Sequence, residues 1–281
     1  MTASNWLNYV REPKYWLLAI AVGLIALHLT LTSRINSPDL NGSMYLFWGV
    51  VAFMFWEKRE KFTLESGIFA TFFGLTLIAL ILLKSTSISG YDIFLRLAPF
   101  LSIFSLGIVA SGFKGLKQYW QELLILGYIA IPPGAILVFI DLAKLTAKFA
   151  AFFLHYLGFE VYRKGVFLIL PTGSVEVYHG CSGAQIIHQL LGLAIIFLMM
   201  FPTTLNQKIF VPIVAVLIAF AVNATRVALM AIIVSNKDAF EYWHLGQGSL
   251  VFSMIAVGFF GAFCWFAILR DEPKKEDTPQ C

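Results

Sequence analysis

Residues 210–234 read FVPIVAVLIAFAVNATRVALMAIIV and contain a single charged side chain, Arg226. A helix needs about 20 mainly apolar residues to cross the hydrocarbon core of a bilayer, and this run is long enough. Similar runs recur along the chain, of which 59% is apolar and only 13% charged. This composition excludes an ordinary soluble domain and predicts an all-α polytopic membrane protein with about eight transmembrane helices.

The predicted spans share an apolar character and a length close to that of a membrane-crossing helix. They cover residues 15–32, 44–56, 67–83, 93–110, 123–140, 183–201, 210–234 and 250–269. The pair Pro132-Pro133 lies inside the fifth span and is expected to kink or break it. The net charge of +4 is divided among short loops, which indicates contacts with lipid headgroups and no nucleic-acid partner.

Lysine and arginine are concentrated in the short loops on one side of the predicted spans. By the positive-inside rule that side is cytoplasmic, so both termini are predicted inside the cell. Residues 1–269 are predicted to form a single transmembrane domain, and residues 270–281 a disordered cytoplasmic tail.

The connection before the sixth span, residues 141–182, is predicted to be external. Apolar residues recur at helical spacing over residues 141–156, which predicts a helix lying along the membrane surface. The β-prone runs VFLIL and SVEVY then flank Pro171-Thr172-Gly173. These features predict a small external helix and hairpin before the sixth span.

The stretch YHGCSGAQIIHQLLG, residues 178–192, places Cys181 between glycines where a polar loop becomes an apolar helix. The helix dipole at this position is expected to lower the pKa of the thiol and favour the reactive thiolate. Cys264 lies deep in the last span and Cys281 in the tail, so Cys181 is predicted to be a free thiol. The alternative interpretation is a small apolar residue at a helix start.

Arg226 lies inside the seventh span, near its external end. A buried arginine in a membrane helix is costly and is by default a functional candidate, although it can also extend its side chain to external headgroups. Asn223, three residues earlier, could orient the guanidinium or a substrate carbonyl.

His244 lies in EYWHLGQG, residues 241–248, just before the eighth span. Its aromatic neighbours are also typical of a plain interfacial segment. Glu241 and Asp238 could orient the imidazole.

Cys181, Arg226 and His244 are predicted to lie on the same membrane face at a similar depth. Nucleophilic acyl transfer needs a thiolate, an acid or base that titrates near pH 7, and a cation where the oxyanion develops. These three residues supply those groups and are the candidate catalytic residues.

Two other classes of function stay open from the residues alone. His179, Cys181, His188 and His244 carry zinc-type ligands, but Cys181 and His188 are seven residues apart and the close ligand pairs of known motifs are missing. An anion transporter could use Arg226 and the proline pair to line a pathway. No metal and no other cofactor is predicted.

The sequences GCSGAQ, NATR and WHLGQG, in this order, resemble the exosortase/archaeosortase family, most closely its cyanobacterial branch, the cyanoexosortases. The resemblance implies a sortase-like cysteine transpeptidase or peptidase that forms a thioacyl intermediate. Cys181 would be the nucleophile, Arg226 the oxyanion or substrate-positioning residue, and His244 the acid/base. Gln185 departs from many relatives, which leaves the exact subfamily open.

The resemblance also implies the partners and the location. The substrates would be membrane-anchored proteins with a C-terminal signal composed of a Pro-Glu-Pro-type (PEP-CTERM-like) motif, a transmembrane helix and a basic tail. The enzyme would span the inner membrane with its active site on the external, periplasmic face. The candidate substrate-positioning residues are Asn223, Ser182, Gln185 and His179. The substrate motif, the acceptor nucleophile and the oligomeric state are not encoded in a readable pattern.

Overall fold

The structure, a computed structural model, describes residues 12–35, 38–136, 140–244 and 246–270. The chain forms two compact units, Met1–Pro132 and Pro133–Cys281. Most of the predicted tail, residues 271–281, lies outside the described residues.

The first unit consists of helices joined by short loops. In chain order they are α1 (Pro13–Ser33), α2 (Pro38–Lys58), α3 (Ile68–Thr86), α4 (Phe94–Gly115), a 3-10 turn (Leu116–Tyr119) and α5 (Trp120–Ala130). His28 of α1 connects three of them. The indole nitrogen of Trp48 donates to His28 Nδ1 at 3.1 Å, so His28 Nε2 donates to the Leu95 carbonyl at 2.8 Å.

Helices α4 and α5 form an antiparallel pair. Gly112 has a φ of +68°, which interrupts the helix. A Cβ at Gly107 would lie 2.9 Å from the Tyr119 ring, and one at Gly127 would lie 3.5 Å from the Phe100 ring. The apolar stretch from Phe94 to Ala130 therefore folds back on itself, and α5, about 16 Å long at 1.5 Å per residue, is too short to cross a bilayer.

The second unit carries all the candidate site residues. Its elements are α6 (Pro133–Ile136), α7 (Leu142–Tyr156), β1 (Tyr162–Lys164), β2 (Phe167–Leu170), β3 (Gly173–Glu176), a 3-10 turn (His179–Cys181), α8 (Ala184–Met200), α9 (Leu205–Ile233), α10 (Lys237–His244), α11 (Gly248–Cys264) and a π-helical turn (Trp265–Leu269). A capping box between Thr204 and Gln207 starts α9, the longest helix of the unit. Such a box satisfies backbone N–H groups that would otherwise lack acceptors.

The three strands form an antiparallel sheet in the order β1-β2-β3. β2 and β3 lie on the two β-prone runs, with Leu168 opposite Val175. Both of these side chains are buried in one apolar cluster with Cys181 and Val227. The sheet therefore supports the segment that carries the cysteine. Its external location stays a prediction.

Among the residues that the structure describes, five helical stretches are long and apolar enough to cross a membrane by length and composition: Pro13–Ser33, Ile68–Thr86, Phe94–Ala130, Leu205–Ile233 and Gly248–Leu269. The third of these comprises α4, the 3-10 turn and α5. The shorter helix Ala184–Met200 is also apolar. The predicted helical, polytopic membrane protein is confirmed by these stretches, whereas the number of eight spans stays a prediction.

The apolar run predicted as the fifth span, residues 123–140, is broken at the proline pair. Helix α5 ends at Ala130, Ile131 is extended, and α6 begins at Pro133. A residue before proline is disfavoured in the helical region, while proline fits the first position of a helix. The predicted break at Pro132-Pro133 is therefore confirmed.

Candidate active site

Cys181 lies in the 3-10 turn immediately before α8, and a glycine makes this turn possible. Gly183 has a φ of +94°, a conformation that side chains with a Cβ rarely adopt. A Cβ there would also lie 2.7 Å from the amide nitrogen of Asn223. That amide nitrogen donates a hydrogen bond to the Cys181 carbonyl at 3.0 Å. Helix α9 thus fixes the main chain of the cysteine.

Ser182 reinforces the same turn. Its hydroxyl donates to the His179 carbonyl at 2.7 Å. Its carbonyl accepts a hydrogen bond from the Thr146 hydroxyl of α7 at 2.8 Å. Ser182 and Thr146 are both fully buried. The side chain of Ser182 is therefore engaged in holding the loop.

The thiol of Cys181 contacts the imidazole of His244, although the two residues are 63 positions apart in the chain. The distance from Cys181 Sγ to His244 Nε2 is 3.3 Å. Only 5% of Cys181 is exposed. A thiol within reach of an imidazole nitrogen is the arrangement needed to transfer a proton from a nucleophile to a base.

Arg226 lies beside this pair. Its Nη2 donates to the main-chain carbonyl of His244 at 2.7 Å. Its Nε is buried and has no hydrogen-bond partner among the described residues. The guanidinium therefore positions the histidine and keeps one N–H donor available. An available donor beside a nucleophile is suited to a developing oxyanion.

Aromatic rings orient the His244 imidazole. The Tyr178 ring meets it edge to face, with centroids 5.9 Å apart, and the Phe240 ring lies tilted at 5.2 Å. Neither Glu241 nor Asp238 hydrogen-bonds the imidazole among the residues that the structure describes. The ring is therefore held without a carboxylate.

Tyr178 belongs to the site, although no local sequence pattern marks it. Its hydroxyl lies 3.0 Å from His244 Nε2, the same atom that the thiol contacts. A Cβ at Gly180 would lie 2.6 Å from the Tyr178 ring, so the glycine leaves room for this ring. A neutral imidazole nitrogen has one lone pair, and the tyrosine hydroxyl and the thiol compete for it.

The charge state of the cysteine differs from the prediction. Burial raises the pKa of the Cys181 thiol, and the Tyr178 hydrogen bond and the Arg226 charge oppose this only in part. Burial lowers the pKa of His244, and the Arg226 charge lowers it further. Both shifts favour a neutral thiol and a neutral imidazole at rest, which is opposite to the predicted thiolate stabilised by the helix dipole.

The other predicted site residues are less closely gathered. Asn223 contacts the Cys181 carbonyl and makes no hydrogen bond to Arg226 among the described residues. Gln185 lies half-buried in the first turn of α8, without a side-chain hydrogen bond in the described part of the chain. A Cβ at Gly134 would lie 2.8 Å from His179 Nε2, which places the His179 ring beside α6.

The alternative of a zinc site requires several ligands to converge. Over residues 12–35, 38–136, 140–244 and 246–270, no group of three histidine, cysteine, aspartate or glutamate side chains does so. Cys181 and Cys264 are both free thiols in this structure.

The chain matches the family described as Transmembrane exosortase (Exosortase_EpsH) over residues 35–261. It belongs to the exosortase family. No curated protein and no solved structure matches the chain. Cys181, Arg226 and His244 lie within the matched range. Together with the apolar helices, membership identifies this exosortase as a multi-pass integral membrane protein.

The neutral thiol–imidazole pair predicts how alkylation of this exosortase depends on pH. Only the thiolate reacts. Because the pKa of Cys181 is raised, we expect the iodoacetamide rate to increase with pH and its midpoint to lie above the ordinary thiol value of about 8.5. Because the pKa of His244 is lowered, little imidazolium is present at pH 7 to stabilise a thiolate. The measurement uses the Cys264→Ala, Cys281→Ala background, in which Cys181 is the remaining cysteine of the sequence.

Tyr178→Phe provides the control for this pH profile. The hydrogen bond between the Tyr178 hydroxyl and the Cys181 sulfur lowers the pKa of the thiol. Removal of this hydroxyl therefore moves the alkylation midpoint to higher pH. A rate that is already maximal at acidic pH would instead indicate a thiolate–imidazolium pair and contradict the neutral resting state.

Proposed function

We propose that the protein is a membrane-embedded cysteine transpeptidase or peptidase that cleaves the C-terminal sorting signal of membrane-anchored proteins. The observation that carries the proposal is the 3.3 Å contact between Cys181 Sγ and His244 Nε2, with Arg226 bound to the same histidine. Membership in the exosortase family supports this class of reaction.

The proposed first step is acyl transfer to the cysteine. As Cys181 Sγ attacks the scissile carbonyl, its proton moves to His244 Nε2 and a tetrahedral oxyanion forms. The Arg226 guanidinium stabilises that oxyanion. The carbon–nitrogen bond then breaks, the imidazolium protonates the leaving amine, and a thioester to Cys181 remains.

The second step releases the product. Water or an amine acceptor attacks the thioester, His244 accepts the proton of the attacking group, and the thiol leaves protonated. Burial and, second to it, the Arg226 charge lower the pKa of His244 and therefore make its protonated form a stronger acid. This effect favours proton donation to the leaving amine in the first step.

The finer assignments form part of the same proposal. We assign the chain to the cyanoexosortase branch, with substrates that carry a Pro-Glu-Pro-type motif, a transmembrane helix and a basic tail. Both termini would be cytoplasmic and the site would face the periplasm, as the distribution of lysine and arginine indicates. Residues 1–269 would form one functional domain in the inner membrane.

Trapping the acyl-enzyme tests the proposal. The purified protein is mixed in lipid with a membrane-anchored reporter that ends in such a signal, and the reaction is quenched with acid. We expect the Cys181 peptide to carry the mass of the truncated reporter, and hydroxylamine to release the reporter as its hydroxamate. Truncation of the reporter without an adduct on Cys181, and without a hydroxamate, would exclude the thioacyl route.

A further inference from the structure

Helix α7 presents three separate faces, whereas an ordinary amphipathic helix presents two. One face is buried and comprises Leu142, Thr146, Ala147, Ala150 and Leu154. A second face is apolar but exposed, and comprises Leu145, Phe149, Phe152, Phe153 and Tyr156. At 100° per residue the exposed lysines Lys144 and Lys148 lie on a third face, beside the exposed apolar one.

A cleft of about 380 Å³ lies along the lysine face. It is lined by Ile140, Asp141, Lys144, Leu145, Lys148 and Arg163. Its three cations outnumber its single carboxylate, and Asp141 already accepts the backbone N–H of Lys144 at 3.0 Å. Neither lysine has an ion-pair partner in the described ranges. The cleft therefore has an uncompensated positive charge.

We propose that this cleft binds the phosphate of an anionic phospholipid headgroup. The exposed apolar face of α7 would lie among the acyl chains of the same leaflet, since a helix with this pattern places its apolar side at the headgroup boundary. Lys144, Lys148 and Arg163 would then surround the phosphate, to which the arginine fork is well matched. The apolar face and the basic cleft are contiguous. A phospholipid likewise joins apolar acyl chains to an anionic phosphate.

The same helix is connected to the candidate active site. Its Thr146 hydroxyl donates to the carbonyl of Ser182, the residue after Cys181. Ala147 and Ala150 are buried in one apolar cluster with Cys181. A headgroup bound to α7 would therefore set the depth of the cysteine turn relative to the membrane surface. The lipid site itself requires no catalytic activity, so its test is independent of the proposed reaction.

The test measures binding of headgroup-labelled phosphatidylglycerol to the full chain in phosphatidylcholine nanodiscs. The variants are the triple substitution Lys144→Gln, Lys148→Gln, Arg163→Gln and the control Lys164→Gln, a neighbouring cation that does not line the cleft. Each juxtamembrane cation contributes roughly fivefold to such binding, so the triple variant should bind about 100-fold more weakly. The control should bind like the wild-type protein.

Two results would overturn the proposal. If the control loses as much lipid affinity per removed charge as the triple variant, the lysines and arginine attract lipid diffusely and form no defined site. Displacement of the lipid by millimolar inorganic phosphate would indicate a site for the free anion. Unchanged thermal unfolding of each variant in phosphatidylcholine alone ensures that a binding loss does not reflect a folding defect.

Discussion

Cys181→Ala is expected to abolish truncation of a co-expressed substrate. Because the Cys181 thiol, which contacts His244, is the group that would form the thioester, its removal eliminates the covalent route. In comparable nucleophile–histidine sites this costs on the order of 10⁶ in kcat. The measurement is the ratio of full-length to truncated substrate in membranes, determined by mass.

Cys264→Ala is the matched control for this experiment. Cys264 is also a free, buried thiol, but it lies in α11 among apolar side chains that include Phe252 and Phe260. Its replacement should leave truncation intact. Undiminished truncation by Cys181→Ala would reject the cysteine mechanism, and equal losses in both variants would indicate a folding effect.

Residues that are unusual for their surroundings were predictable from the sequence. An arginine inside an apolar helix and a cysteine between glycines at a helix start are conspicuous because each carries a cost or a constraint. In the structure, the Cys181 thiol contacts the His244 imidazole and the Arg226 guanidinium contacts the His244 carbonyl. Their catalytic roles stay predictions.

Tyr178 could not be selected in this way. An aromatic residue near a membrane surface is common, since tyrosine is enriched there for reasons unrelated to catalysis. Its position depends on Gly180, which leaves space for the ring, and on the fold that brings His244 within 3.0 Å. Contacts between residues 66 positions apart are not visible in local patterns.

The sequence predicts the opposite direction for the pKa shift of Cys181 because it shows only one of the causes. The helix dipole is a local feature and can be inferred from the position before α8. Burial depends on tertiary packing, and it is the largest cause here and acts in the opposite direction. The break of the predicted fifth span, in contrast, follows from the backbone of proline itself and was predictable.

Arg226→Gln should separate a catalytic role from a structural one. Loss of one donor to an oxyanion typically lowers kcat about 10²–10³-fold. Arg226 is only 8% exposed and has no carboxylate partner among the described residues. Removing a buried, uncompensated charge is often neutral or favourable for stability. We therefore expect activity to fall while the thermal unfolding midpoint in detergent stays the same or rises.

Arg226→Lys is the informative companion of this variant. It keeps the charge but loses the planar fork, so it cannot donate to the His244 carbonyl through Nη2 and also present Nε–H to an oxyanion. If fork geometry is essential, the lysine variant should be nearly as inactive as the glutamine variant, with kcat lowered and KM little changed. Recovery of most of the activity by lysine would show that Arg226 acts through charge alone. A lowered unfolding midpoint in both variants would show that its contact with His244 mainly holds α10 in place.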